Sequence, residues 1–120
     1  MRCVLHVGPT KTGSTSIQQF LRTNELALNQ QGFAFPRLSQ STMAEYSYAF
    51  KSELTATRSS RRLGINPKNF AEMQQSFKLK LDSRISKARD RGAQTILISS
   101  EDLSHLGLER VSKLVGAKVR

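Results

Sequence analysis

Apolar residues fall in blocks whose spacing changes along the chain, and each change marks a switch between strand and helix. Val4-Leu5-His6-Val7 is a β-prone run that ends at Gly8. Beyond Gly13, the residues Ile17, Phe20, Leu21 and Leu28 step at helical intervals, which predicts a helix of about four turns stopped by Gly32. Phe33-Ala34-Phe35 before Pro36 reads as a short strand or extended segment, followed by a polar connection from Arg37 to Thr42. Met43, Tyr46, Phe50 and Leu54 again step by three and four, so a second helix is expected there. Residues 55–66 include Arg58, Arg61, Arg62 and Gly64 and read as a mobile basic loop. Asn66-Pro67 supplies an N-cap and a first-turn proline for a third helix, whose stripe Phe70, Met73, Phe77, Leu81, Ile85 and Ala88 ends at Gly92. Thr95-Ile96-Leu97-Ile98 is apolar without alternation, the pattern of a strand covered on both faces. Ser99-Ser100-Glu101-Asp102 follows it directly. Leu108, Val111, Leu114 and Val115 predict a short helix before Gly116, and Ala117-Lys118-Val119-Arg120 reads as the opening of another strand.

Strands that alternate with helices imply parallel strands joined by right-handed crossovers, hence an α/β fold with helices on the faces of an open sheet. Ligands in such sheets bind beyond the carboxyl ends of the strands. Two distant stretches then become candidates together: the segment Gly8 to Thr15 and the Ser99-Ser100-Glu101-Asp102 turn both follow strands. If those strands are parallel neighbours, both turns leave the same edge and share one ligand.

The first of these stretches, Gly8-Pro9-Thr10-Lys11-Thr12-Gly13-Ser14-Thr15, has the chemistry of an anion cradle. Backbone N–H groups at a helix start lack intrahelical partners, and the helix dipole favours negative charge there. Gly8 and Gly13 have the spacing of a triphosphate loop, which needs Gly, four residues, then Gly-Lys-Ser/Thr. Here Ser14 follows Gly13 and the lysine is Lys11, inside the loop, so it approaches its ligand from a different point. An NTPase or kinase-like phosphoryl-transfer module is the second reading, with Glu101 and Asp102 after an apolar strand imitating a magnesium site.

Composition narrows the partners without choosing one. The 120 residues carry a formal charge of +10, which favours anionic ligands: a nucleotide, an acidic acceptor, a nucleic acid or a membrane surface. A non-catalytic basic anion-binding domain is therefore a third reading, although nucleic acid is the disfavoured partner. No run approaches the ~18 apolar residues of a membrane span and the start lacks the apolar core of a signal peptide, so a cytoplasmic protein is expected. The single Cys3 sits at the start of a strand, where an inert thiol is the expected state. His6 is expected to be packed within its strand, and His105 to be a solvated surface group.

The stretch Leu5-His6-Val7-Gly8-Pro9-Thr10-Lys11-Thr12-Gly13-Ser14-Thr15-Ser16-Ile17-Gln18 resembles the 5′-phosphosulfate-binding loop of sulfotransferases that use 3′-phosphoadenosine 5′-phosphosulfate, especially bacterial sulfotransferase-like proteins. Gly32-Phe33-Ala34-Phe35-Pro36 and Ser99-Ser100-Glu101-Asp102-Leu103 are similar to the same group. The resemblance implies a three-layer, P-loop-like parallel sheet flanked by helices, with the phosphosulfate nucleotide as sulfuryl donor and no metal. It implies a donor site of Gly8, Pro9, Thr10, Lys11, Thr12, Gly13, Ser14, Thr15 and Ser99, with Lys11 as the catalytic cation. Glu101 is the best-placed carboxylate for a catalytic base, and equally suits the first turn of a helix capped by serine. In this family the 3′-phosphate is held by an Arg and a Ser that come later in the chain, and Arg120 does not match that arginine. Residues 1–120 are accordingly expected to be the N-terminal portion of a single, incomplete domain that binds donor weakly and has little activity alone, with an unidentified acceptor.

Overall fold

The computed structural model describes residues 1–6, 14–38, 43–100 and 103, with the backbone alone at 14 and 15. In chain order the elements are β1 (Arg2–His6), α1 (Ser14–Thr23), α2 (Glu25–Gln30), β2 (Phe33–Ala34), α3 (Ala44–Phe50), α4 (Arg58–Arg62), α5 (Phe70–Asp90) and β3 (Thr95–Ser99). The three strands form one sheet in the order β1-β3-β2, and both pairings are parallel. Arg2 lies opposite Thr95 and His6 opposite Ser99, while Phe33 lies opposite Thr95. The architecture is thus α/β, a small parallel sheet with helices packed around it.

The sheet order explains the two kinds of strand sequence. β3 is last in the chain and central in space, and Thr95, Ile96, Ile98 and Ser99 are all buried. A strand with neighbours on both sides and cover on both faces needs no polar positions. β1 pairs only with β3 among the described residues, and Val4 there is 52% exposed.

The core lies between the sheet and the α3–α5 pair. Every residue of α3 from Ala44 to Phe50 is buried, and α5 contributes Phe77, Leu81, Ile85 and Ala88 at the spacing expected of one helical face. Tyr46 and Gln74 pair polar groups in this layer, while the buried Ser47 hydroxyl has no hydrogen-bond partner among the described residues. Tyr46 donates from its hydroxyl to the Pro36 carbonyl at 3.1 Å, and the Gln74 amide donates to the carbonyls of Tyr48 and Lys51 at 3.2 and 2.6 Å. Burial holds the Tyr46 hydroxyl well above the ordinary tyrosine range, so it stays protonated and remains a donor.

Three expectations are corrected in detail. The first helix is divided at Asn24 into α1 and α2, with the Asn24 side chain donating to the Phe20 carbonyl at 2.8 Å. Its inward face also differs: Ile17 and Phe20 are 41% and 59% exposed, whereas Gln18 is buried at 2%. Residues 55–66, read as a basic loop, contain helix α4. There the Thr57 hydroxyl accepts from the Ser60 N–H while the Ser60 hydroxyl accepts from the Thr57 N–H, closing a capping box that uses serine in place of the usual acid or amide. Finally, α5 starts at Phe70 because Asn66 forms a turn of its own, its side-chain Oδ1 accepting from the N–H groups of Lys68 and Asn69. The helix expected at 108–115 and the strand opening at 117–120 lie outside the described residues.

Candidate functional site at the carboxyl end of the sheet

β1 and β3 are hydrogen-bonded parallel neighbours whose last residues, His6 and Ser99, stand opposite each other. The Ser100 N–H donates to the His6 carbonyl at 3.0 Å, which extends the ladder one step past the strand. Residues 7–13 and the segment from Ser100 onward therefore leave adjacent strands at one edge, about 5 Å apart. α1 begins at Ser14, so seven residues, 7–13, connect a parallel strand to a helix start.

Beneath this edge is a buried polar layer. Ser99 is fully buried, and its hydroxyl lies 2.9 Å from His6 Nδ1. Its carbonyl accepts from Gln18 Nε2 at 3.2 Å, and its N–H donates to Met43 Sδ at 3.4 Å. Every polar group of Ser99 is thus engaged with a neighbour, and the residue fixes how β1, α1 and the start of α3 meet. The backbone of Met43 is left-handed, with φ at 52°, an arrangement that costs a non-glycine residue on the order of 1–2 kcal/mol. The sulfur that it brings to the strand end is a weak acceptor for an amide that would otherwise be buried alone.

Ser100 follows, fully buried, with its hydroxyl without a hydrogen-bond partner among the described residues. Its carbonyl accepts from the N–H of Leu103 at 3.3 Å, and Leu103 is buried in the core at 1% exposure. Ser100 and Leu103 are thus both buried and tied to each other.

Of the site residues expected from sequence, Ser99 and the helical backbone of Ser14 and Thr15 are described; Gly8, Pro9, Thr10, Lys11, Thr12, Gly13 and Glu101 lie outside the described residues, as does His105. His6 is packed in its strand and hydrogen-bonded to Ser99. Cys3 is half-buried, and burial pushes its thiol up to about 11, so at neutral pH it is protonated and a poor nucleophile. Gln18 and Met43 were not singled out from sequence as site residues. Gln18 had a signal, since it precedes Leu21 by three and so shares its face, but polarity assigned it to solvent. Met43 had none, because its role depends on backbone handedness.

Among the described residues no helix is long and apolar enough to cross a membrane, and no group of three or more His, Cys, Asp or Glu side chains is placed to hold a metal ion. Comparison with protein-family models, with curated proteins and with solved structures gave no match.

Proposed function

We propose that the protein is sulfotransferase-like and uses the segment from Gly8 to Thr15 to hold the 5′-phosphosulfate of 3′-phosphoadenosine 5′-phosphosulfate. The observation that carries this reading is the parallel pairing of β1 with β3, His6 opposite Ser99. It sets the lysine-bearing segment and the Ser-Ser-Glu-Asp segment at the exits of adjacent strands, on the edge where open α/β sheets bind ligands. The order of the described strands sets aside two other ligand-binding α/β arrangements. Dinucleotide-binding sheets place the second strand between the first and third, and flavodoxin-like sheets place the first there. In this chain the third strand is central.

In this reading the backbone N–H groups of residues 10–14 and the hydroxyls of Thr12, Ser14 and Thr15 hold the 5′-phosphate. The acceptor oxygen attacks sulfur in line; the new S–O bond forms as the bond from sulfur to the phosphate oxygen breaks. Glu101 takes the acceptor's proton, and Lys11 stabilises the charge that builds on the departing phosphate oxygen. Ser99 contributes from below by holding the strand exit in place.

Calorimetry with 3′-phosphoadenosine 5′-phosphate tests the proposal. Lys11→Ala is expected to weaken binding about tenfold to a hundredfold, the value of one charge-assisted hydrogen bond, and added magnesium to change nothing. Tighter binding of magnesium–ATP would replace the proposal with phosphoryl transfer. Binding that ignores Lys11→Ala and falls steeply with salt would replace it with general polyanion binding.

A further inference from the structure

On the opposite side of the sheet from β1, a cavity of about 350 Å³ lies against β2, between α2, the chain leaving β2 and the C-terminal half of α5. Arg37, Arg84, Lys87 and Arg91 line it, against the two carboxylates Glu25 and Asp90. Arg84, Lys87 and Arg91 are spaced i, i+3 and i+7, so α5 and its C-cap residue Arg91 present all three on one stripe. Arg37 enters from the chain beyond β2. Its guanidinium donates to Glu25 Oε2 at 3.4 Å, which engages one carboxylate. Its Nε is buried with no hydrogen-bond partner among the described residues. The side chains of Arg84, Lys87 and Arg91 likewise have no hydrogen-bond or ion-pair partner among them. Ala34, Phe35 and Ala88, all buried, supply an apolar floor.

Cations in the last turn of a helix complement its dipole, which accounts for Lys87. It does not account for Arg84, which precedes that turn, or for Arg37, which belongs to a different element. Three exposed cations around an apolar floor outnumber the carboxylates there: Arg37 engages Glu25, and Asp90 alone remains for Arg84, Lys87 and Arg91. We infer that this cavity is a second, separate anion site, which takes a small organic molecule bearing a phosphate, sulfate or carboxylate group on a compact apolar body. Its volume is near the lower end of ordinary small-molecule sites, about 300–1,000 Å³. The anionic group is held by Arg84, Lys87 and Arg91, and the apolar body lies on Phe35 and Ala88. β2 is two strand spacings from β1, about 10 Å, so this site does not depend on the segment from Gly8 to Thr15 or on its proposed donor.

The test is a titration of the full chain with phenyl phosphate at low salt, followed by amide NMR shifts. Saturable shifts are expected at residues 34–37 and 84–91, with inorganic sulfate competing. Arg84→Gln with Arg91→Gln is expected to weaken binding at least about tenfold, since each removes a charge-assisted contact. Both residues are exposed, so the thermal midpoint of the double variant should match the parent; Lys87→Gln serves as a second, milder variant with the same direction of effect. Lys11→Ala should leave this titration unchanged. Shifts that do not saturate, equal binding by the double variant, or loss of binding in Lys11→Ala would each overturn the inference, the last by assigning the probe to the other segment.

Discussion

The two proposed anion sites, at opposite edges of the β sheet, are built in different ways. On the β1–β3 side, the candidate chemistry is local in sequence: one lysine and several hydroxyls between two glycines, joining a strand to a helix. On the β2 side, the cations come from positions 37, 84, 87 and 91, and only the fold brings Arg37 to the α5 stripe. The first side is underlain by Ser99, whose polar groups are all engaged, and by Ser100, whose buried hydroxyl has no partner among the described residues; the second has a buried guanidinium N–H likewise without one. A site written in consecutive residues is recognisable before folding. One assembled from distant elements becomes visible only as an imbalance of charge around a cavity.

The largest expected effect removes the comparison altogether, because both sides share one core. Leu81 is 1% exposed, and Leu81→Ala is expected to cost about 2–5 kcal/mol, read as a loss of urea midpoint. A cost below about 1 kcal/mol would mean that the α3–α5 layer does not hold the sheet as described. Next, Gln18→Ala acts on the β1–β3 side alone. It leaves the Ser99 carbonyl without its donor and is expected to cost about 1–3 kcal/mol, with hydrogen exchange accelerated at the ends of β1 and β3 and unchanged near β2. Uniform acceleration would show that the two sides are not separable.

Gly32→Ala probes the β2 side and is the smallest of the three. Gly32 has φ at +83°, and its carbonyl accepts from the N–H groups of Gln94 and Thr95 at 2.8 and 3.1 Å, tying β2 to the entrance of β3. An added Cβ would meet only ordinary contacts with Gln94 at 3.9 Å, so the cost is conformational, about 1–2 kcal/mol. Thermal unfolding checks the magnitude. Exchange protection localises it to residues 33–34 and 94–96.

Elements whose sequence carries one dominant periodicity were legible. The α5 stripe from Phe77 to Ala88, the uniform apolar run of β3 and the glycine stop at Gly32 all correspond to observed features. Where competing local interactions decide the outcome, reading failed. Asn66 offered a cap but forms its own turn, and Thr57 with Ser60 makes a helix in a segment that looks like a solvated loop. On α1, hydrophobicity chose Ile17 and Phe20 for the interior, yet the strand end beneath the helix presents a carbonyl, and an amide side chain satisfies it better than an alkyl group.

The sequence by itself determined the alternation of helix and strand, the parallel α/β character, and the presence of a lysine between glycines after the first strand. These follow from spacing and backbone preference, which act over a few residues. Tertiary structure alone decided that β3 is central, that Gln18 and Met43 support Ser99, and that Arg37 joins Arg84, Lys87 and Arg91 around one cavity. Those outcomes depend on which buried polar groups must find partners and which elements pack together, and such pairings span tens of residues with no periodic trace in the chain.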